Sequence, residues 1–288
     1  MTNLVTAWKT ATATLKAAGV DQPSIDAGLM LQAAAGVTRT DILTDPYREM
    51  TAEQQATLDD FIGQRAGRKP ISHILGRKGF WKIMLSVTPD VLTPRADTES
   101  ILDVVLPAFP EGMAFQMLDL GVGSGAILLA ILAERPAARG LGVDASSEAL
   151  AVAKENAANL DLNNRAAFLH GDWTAGLGDA QFDLVVSNPP YIPSNDIDTL
   201  DPEVRDHEPR LALDGGPDGL DAYRLLAPEI LRVLKAGGLF AVEIGHDQSA
   251  AVEALFKAAG ADQVRTTKDL GTRDRVVTGF KNPLETGG

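Results

Sequence analysis

The chain has 288 residues, of which 26 are Lys or Arg and 39 are Asp or Glu, so its formal net charge is −13. Because it contains no cysteine, disulfides, thiolate metal sites and a cysteine nucleophile are excluded. The acidic balance disfavours binding to a nucleic acid backbone, since unpaired carboxylates oppose counterion release. At roughly 150 residues per domain, this length predicts two domains.

The first 76 residues predict a small bundle of short helices. Apolar residues recur at helical spacing in the first of these helices: Leu4, Trp8, Ala11 and Leu15. Ser24 is expected to cap a second helix over 25–35. Thr51 and Gln54 form a capping-box pattern at the start of a later helix.

A hairpin and then an alternation of strands and helices follow. The hairpin is indicated by apolar residues at every second position: Trp81, Ile83, Leu85 and Val87. Five strands are then predicted over 116–120, 140–144, 166–170, 182–187 and 239–244, with helices over 126–135 and 147–159 between them. This alternation predicts an α/β fold with a mostly parallel sheet covered on both faces. A closing strand pair is predicted over 264–267 and 275–280.

A glycine-rich turn over 119–125, Asp-Leu-Gly-Val-Gly-Ser-Gly, lies where the first strand of the sheet turns into its helix. Its alternate glycines let the backbone pass close to a ligand. Asp144, at the end of the next strand, is placed to accept hydrogen bonds from ribose hydroxyls. Asp172 and Trp173 are expected to bond and cover an adenine. A nicotinamide dinucleotide is the alternative ligand, although no second glycine-rich turn of this kind follows residue 180.

The strand over 182–187 ends at Asn188-Pro189-Pro190-Tyr191. The prolines remove two backbone donors, which leaves carbonyls and the Asn188 amide oxygen as acceptors, and Tyr191 is expected to add an apolar wall. Such a site fits a planar NH2 group, as in an amide or a base amine. Holding both hydrogens would aim the nitrogen lone pair at an electrophile such as a methyl sulfonium. We therefore predict these four as catalytic residues, against the alternative of a proline turn without chemistry.

The glycine turn, Asp144 and the Asn-Pro-Pro-Tyr tetrapeptide together resemble the class I S-adenosylmethionine-dependent amino-methyltransferases. A narrower resemblance, to the bacterial release-factor glutamine methyltransferases, extends from about residue 65 to 280. It is carried by the segments PISHILGRKGFWKIMLSVTPDVLTPRADTE, DLGVGSGAI, SNPPYIP, EVRDHEPRLALDGGPDGLDAYR and EIGHDQ. Val122 stands where that family commonly has Thr, which puts one cofactor contact in doubt.

This resemblance implies methylation of the side-chain amide of glutamine in the Gly-Gly-Gln loop of peptide-chain release factors. S-adenosylmethionine would be the donor and S-adenosylhomocysteine the product. The implied domains are a helical substrate-docking domain over 1–76, a hairpin linker over 77–94 and a doubly wound methyltransferase domain over 95–288. The residues expected at the cofactor are Gly121, Val122, Gly123, Ser124, Gly125, Asp144, Asp172, Trp173 and Asn188. The tetrapeptide from Asn188 to Tyr191 would hold the target glutamine.

Three other functions remain open from the residues alone. A glutamine methyltransferase of a ribosomal protein would share the catalytic loop and differ in docking. An adenine amino-methyltransferase should bring a basic target-recognition region, and a binding module that only senses the cofactor would not need Asn188 and Tyr191. We expect a cytoplasmic monomer without a membrane span, because no apolar run approaches roughly 18 residues. No metal site is predicted, because the histidines are scattered.

Overall fold

The computed structural model describes residues 2–282, which form two compact units. The first unit contains residues 2–76 and 201–207, and the second contains residues 77–200 and 208–282. The predicted division into three functional segments stays a prediction, and its last residues, 283–288, lie outside the described part.

The first five elements of the chain are helices, and strands and helices then follow in mixed order. The helices are α1 (Leu4–Ala17), α2 (Pro23–Ala35), α3 (Arg39–Thr44), α4 (Ala52–Ala66), α5 (Ile71–Leu75), α6 (Ser100–Ala108), α7 (Ala126–Glu134), α8 (Ser147–Asn159), α9 (Pro202–Arg205), α10 (Asp221–Val233) and α11 (Ser249–Ala258). Short 3-10 helices cover Ala96–Glu99, Ile197–Thr199 and Arg210–Ala212. The strands are β1 (Arg77–Phe80), β2 (Ile83–Ser86), β3 (Gln116–Leu120), β4 (Arg139–Asp144), β5 (Ala166–His170), β6 (Phe182–Ser187), β7 (Leu234–Glu243), β8 (Ala261–Lys268) and β9 (Asp274–Lys281).

The helix starts of the first unit follow from local hydrogen bonding. The capping box predicted at the start of α4 is confirmed, because Thr51 and Gln54 bond each other's backbone reciprocally. The predicted cap by Ser24 is wrong. Helix α2 begins one residue earlier, at Pro23, and its N-cap residue Gln22 makes no side-chain capping bond. Proline is suited to the first helical position because the amide hydrogen that it lacks would have no partner there.

A cluster of ion pairs in the first unit joins helix α9 to α2 and α4. Arg65 donates to Asp26 at 2.7 Å and to Glu203 Oε1 at 2.9 Å. Arg68 donates to Glu203 Oε2 at 2.7 Å. Burial opposes the ionisation of Glu203, but the hydrogen bonds from Arg68 and Arg65 outweigh it and lower the pKa of Glu203 to about 2.

We expect Glu203→Ala to lower the free energy of unfolding by roughly 2–4 kcal/mol, because Arg65 keeps its buried charge and loses one acceptor. Since the pKa of Glu203 is below its unfolded value, its stabilisation is present above about pH 4.5 and is lost as the pH falls towards 2. Urea unfolding at pH 7 and pH 3 measures both effects. Asp206→Ala, which removes an exposed pair with Arg205, is the control and should change little. Equal stability of Glu203→Ala and wild type would contradict this role.

The second unit is built on a sheet with the strand order β5-β4-β3-β6-β7-β9-β8. Strands β3 to β7 pair in parallel, whereas β9 runs antiparallel to both β7 and β8. Helices cover two apolar layers, one on each face. Strands β1 and β2 form a separate antiparallel hairpin. The predicted mostly parallel α/β fold with a helical N-terminal region and a hairpin is confirmed.

The order in which the chain connects the strands determines where a crevice opens at the sheet. The chain runs from β3 outward through β4 to β5, and then returns to β6 on the other side of β3. In an open α/β sheet, such a reversal of strand order opens a crevice outside the carboxyl ends of the strands. Four loops meet there, following β3, β4, β5 and β6.

Candidate active site

A cavity of about 590 Å³ lies in the second unit, at the carboxyl ends of β3, β4, β5 and β6. This volume is within the usual range of small-molecule sites. The predicted site residues that line the cavity are Gly121, Val122, Gly123, Ser124, Asp144, Asp172, Trp173, Asn188 and Pro190. The structure therefore brings the glycine turn, the acidic residue of β4 and the start of the proline loop around one space. Gly125, Pro189 and Tyr191 do not belong to the lining.

The glycine-rich turn has the backbone that its composition predicts. Gly121, Gly123 and Gly125 all have positive φ angles, of 72°, 54° and 86°. A Cβ at Gly123 would meet no other atom within 4 Å, whereas one at Gly125 would come 2.8 Å from Leu129. Gly125 thus permits the start of α7 to pack, while Gly123 keeps the cavity wall free of a side chain.

Asp144 ties the turn to the end of β4. Its Oδ2 accepts from the Gly123 amide at 2.8 Å, and its Oδ1 accepts from the Ser146 amide at 2.9 Å. A carboxylate oxygen has two lone pairs, so each oxygen retains one for a ligand hydroxyl. The side chain lines the cavity in this orientation. This geometry suits the predicted contact with a ribose.

Asp119, the first residue of the turn motif, is a buried residue of β3 directly before the glycines. Its Oδ2 accepts from the Leu128 amide at 3.1 Å, and within residues 2–282 its Oδ1 has no hydrogen-bond partner. Burial raises the pKa of Asp119 to about 8, and the nearby charge of Asp144 adds to the shift. An unsatisfied buried oxygen next to a glycine turn marks a place where a polar ligand group can bind.

Because the folded state holds a proton on Asp119 up to about pH 8, unfolding between pH 4 and 8 releases that proton. Its contribution to stability is complete below pH 4 and declines as the pH rises through this window. We expect Asp119→Asn, whose side-chain oxygen can still accept from Leu128, to flatten this decline. Urea unfolding of wild type and variant at pH 5 and pH 8 measures the difference. Parallel pH dependences would show that Asp119 is ionised in the folded protein.

Asp172 and Trp173 follow β5 and form a further part of the cavity wall. Trp173 has a positive φ of 50° and packs against the apolar layer that contains Val143 and Phe182. A Cβ on Gly121 would lie 3.6 Å from its ring. The indole thus stands across the glycine turn, as a residue covering a flat ligand would.

Asn188 is held by a residue that the sequence analysis missed. Its Nδ2 donates to Thr98 Oγ1 at 3.3 Å, and within the described residues its Oδ1 accepts no hydrogen bond. Both side chains line the cavity. With the amide in this orientation, Asn188 presents an acceptor to a ligand. Thr98 lies in the segment that carries the family resemblance, but no local pattern links it to residue 188.

Pro190 also lines the cavity, whereas Pro189 and Tyr191 do not. Pro189 is buried, and Tyr191 packs against the apolar layer around Tyr223. The Tyr191 hydroxyl donates to Glu243 Oε1 at 3.2 Å. Burial, followed by the charge of Glu243, raises the pKa of Tyr191, so its hydroxyl stays protonated. The structure therefore does not place Tyr191 as the expected wall of the cavity.

The rim contains further residues that were not predicted. Arg95 donates to the buried carboxylate of Glu208 at 2.6 Å, and the Thr93 amide donates to the same carboxylate. Burial raises the pKa of Glu208, and the charge of Arg95 opposes the shift. Arg210 and the exposed Leu211 complete this side of the rim. Arg95 and Glu208 are 113 positions apart in the chain, and sequence periodicity does not indicate a pair at that separation.

Two further properties of the described residues bear on the site. Among residues 2–282, no helix has the length and apolar character needed to cross a membrane. The same residues contain no group of three or more His, Asp or Glu side chains placed to hold a metal ion.

Two family models match the chain. Residues 6–76 match the model described as the PrmC N-terminal domain, and residues 96–201 match the methyltransferase small domain. Among solved structures, a methyltransferase from Pyrococcus furiosus has a TM-score of 0.51 at 18% identity, covering 69% of this chain and 88% of that one. At this identity the likeness shows the fold alone.

Curated relatives match over most of the chain. A release factor glutamine methyltransferase from Caulobacter vibrioides is 76% identical over 282 residues, which cover 98% of both chains. Proteins of the same description from Rhodospirillum rubrum and Agrobacterium fabrum are 45% and 41% identical, covering 91% and 92% of this chain and 80% and 92% of the relatives. The chain belongs to the release factor glutamine methyltransferase family and is an enzyme of the methyltransferase class.

Proposed function

We propose that this enzyme methylates the side-chain amide nitrogen of the glutamine in the Gly-Gly-Gln loop of peptide-chain release factors, with S-adenosylmethionine as the donor. The observation that carries this proposal is the state of Asn188. The Asn188 Nδ2 donates a hydrogen bond to Thr98 Oγ1, which leaves the Asn188 Oδ1 as an acceptor in the cavity that also contains the glycine turn and Asp144. The family membership supports the same substrate.

The residues present fit the proposed donor. The wall at Gly123 carries no side chain, Asp119 has an unsatisfied oxygen, and Asp144 keeps lone pairs for hydroxyl groups. Residues 121–125 would hold the methionine part, Asp144 the ribose, and Asp172 with Trp173 the adenine. When bound, S-adenosylmethionine supplies an electrophilic methyl group on a positively charged sulfur.

The proline loop would bind the target carboxamide. Asn188 Oδ1 and a main-chain carbonyl of residues 188–190 can each accept one hydrogen of its NH2 group. Holding both hydrogens fixes the plane of the amide and directs the nitrogen lone pair across the cavity, which is an orientation effect worth several kcal/mol. The methylated amide nitrogen is acidic, so a side-chain base is not required before transfer. Methyl transfer leaves the amide nitrogen with a positive charge, and the nitrogen becomes neutral by releasing one proton to water.

We propose that the helical residues 1–76 dock the protein substrate. We also propose that the enzyme acts as a monomer in the cytoplasm, where release factors work. The matching N-terminal family model supports a separate role for this segment. The net charge of −13 argues against direct binding of nucleic acid.

Methyl transfer from labelled S-adenosylmethionine to purified release factor tests the proposal. We expect one methyl group per release factor, located by mass spectrometry on the loop glutamine, and no label on a release factor in which that glutamine is replaced by Ala. Parallel reactions with ribosomal proteins and with adenine-containing oligonucleotides test the two alternative substrates. Equal labelling of the glutamine-replaced factor, or preferential labelling of a ribosomal protein or oligonucleotide, would contradict the assignment.

A further inference from the structure

Gln248 is a buried residue whose side-chain amide holds the last residue of the proline loop. It precedes α11 and is 8% exposed. Its Nε2 donates to the Tyr191 carbonyl at 3.0 Å and to the Gly219 carbonyl at 3.2 Å, and its Oε1 accepts from the Gly245 amide at 2.9 Å. A flipped amide would turn its oxygen towards two carbonyls. The network therefore fixes the direction of the NH2 group.

Two glycines pack directly against the backbone of the same loop. Gly219 has a φ of 75°, and a Cβ there would lie 2.6 Å from Gln248 Nε2 and closer still to the Tyr191 carbonyl oxygen. A Cβ at Gly215 would lie 2.8 Å from Tyr191 Cα and 2.9 Å from the Pro190 carbonyl oxygen. Neither position has room for a side chain. The turn over 215–219 is therefore shaped to the backbone of the proline loop.

Tyr191 is held through both its side chain and its main chain. Its hydroxyl donates to Glu243 Oε1 at 3.2 Å, while its carbonyl accepts from Gln248. Glu243 is the last residue of β7, the strand that pairs with β6 up to Ser187. Both contacts thus come from one short segment, 243–248, at the end of the strand beside the loop.

The prolines explain why the loop needs contacts of this kind. Pro189 and Pro190 have no amide hydrogen, so the loop cannot be held there by its own backbone donors. Each proline also fixes its own φ angle, which makes the tetrapeptide stiff. A shift of the Tyr191 carbonyl is therefore passed on to Asn188 and Pro190, which line the cavity.

We propose that Gln248, supported by Gly219, is a positioning residue that holds the proline loop by the Tyr191 carbonyl and so keeps Asn188 in place for methyl transfer. This inference rests on the proposed function. Gln248 does not line the cavity, so it acts through the loop. Because a misplacement of about 1 Å can cost on the order of 100-fold in rate, loss of this contact should be visible in kcat.

A pair of glycine variants of the full chain separates loop displacement from backbone strain. Gly219→Ala and Gly112→Ala both place a side chain at a positive φ, of 75° and 85°. A Cβ at Gly112 would meet no atom of the described residues within 4 Å, and Gly112 precedes β3, at the end of the sheet opposite the cavity. We expect Gly219→Ala to lower kcat for release factor by about 10- to 100-fold and Gly112→Ala to stay within about threefold of wild type.

Gln248→Met tests the hydrogen bonds without adding bulk to the backbone. Methionine has a similar length but cannot donate to Tyr191 or Gly219. We expect kcat to fall by about 10-fold, whereas the dissociation constant of S-adenosylmethionine should change by less than about threefold. Gln263→Met, at an exposed position of β8 outside the cavity lining, is the control and should behave as wild type. The variant with both Gly219→Ala and Gln248→Met should be little slower than Gly219→Ala, because both changes act on one contact.

Hydrogen exchange reads the state of the loop without any substrate. The Ile192 amide donates to the Leu213 carbonyl and the Ser194 amide to the Gly216 carbonyl. Exchange over 191–194 should be at least about threefold faster in Gln248→Met than in Gln263→Met. Unchanged exchange, wild-type kcat in Gln248→Met, or equal losses of kcat in Gly219→Ala and Gly112→Ala would overturn the inference. Absence of transfer by the wild type would instead contradict the proposed function, and hydrogen exchange would still decide whether Gln248 holds the loop.

Discussion

Replacement of Asn188 by Ala is expected to lower kcat for methyl transfer by roughly 10²- to 10³-fold, the range seen when one preorganised polar contact is removed from an active site. The variant lacks the only side-chain amide oxygen that the proline loop offers to the target carboxamide. Affinity for S-adenosylmethionine should fall by less than about threefold, because the glycine turn and Asp144 are untouched. Single-turnover transfer to release factor and calorimetric titration of the cofactor measure the two quantities.

Asn195→Ala provides a matched control for this experiment. Asn195 is exposed, lies seven positions further along the chain and does not line the cavity. Its replacement should leave both kcat and cofactor affinity at wild-type values. If Asn188→Ala loses transfer and cofactor binding together, Asn188 serves the cofactor or the loop structure, and its proposed role towards glutamine is wrong.

Replacement of Asp144 by Ala is expected to weaken S-adenosylmethionine binding by roughly 10- to 100-fold. A loss of this size corresponds to one hydrogen bond to a charged acceptor, which contributes about 1.5–3 kcal/mol. The variant also frees the Gly123 amide, which Asp144 Oδ2 binds at 2.8 Å. Asp144→Asn, which keeps one oxygen acceptor, should show an intermediate loss. Calorimetry at pH 7 gives the dissociation constants.

The control for Asp144 is Asp103→Ala. Asp103 is an exposed residue of α6 outside the cavity lining, so the same chemical change there should leave cofactor affinity unchanged. Full affinity in Asp144→Ala would show that the ribose binds elsewhere. The assignment of the β4 end as the ribose site would then be wrong.

Local patterns predicted those parts of the fold that depend on local physics. The bounds of β3, β5, β6 and α8 agree with the sequence analysis because each element is a short periodic run ended by a turn residue or cap. Strand β7 instead begins at Leu234, five residues before the predicted start. Its first residues contain Gly237 and Gly238 and are paired across a register shift opposite Phe182. Neither glycines nor an irregular register produce an alternating pattern.

Only those site residues were predictable that stand next to each other within one loop. The glycine turn and the proline loop are recognisable because their backbones have requirements that few residue types meet. The partner of Asn188 is Thr98, 90 residues away in the chain. Tyr191 likewise bonds to Glu243, which lies 52 residues away on the strand next to β6. Such contacts follow from tertiary packing. In the same way, no local pattern indicates that residues 201–207 pack with the first unit through Glu203.

In the proposed mechanism the Asn188 oxygen, held in direction by Thr98, receives the target amide next to the cofactor. A crystal structure of the enzyme with S-adenosylhomocysteine and a Gly-Gly-Gln loop peptide carrying N-methylglutamine tests it most directly. We expect the amide nitrogen of the methylated glutamine within about 3.2 Å of Asn188 Oδ1 and the methyl group directed at the sulfur. A glutamine bound away from Asn188, or a sulfur atom outside the cavity formed by the glycine turn and Asp144, would contradict the account.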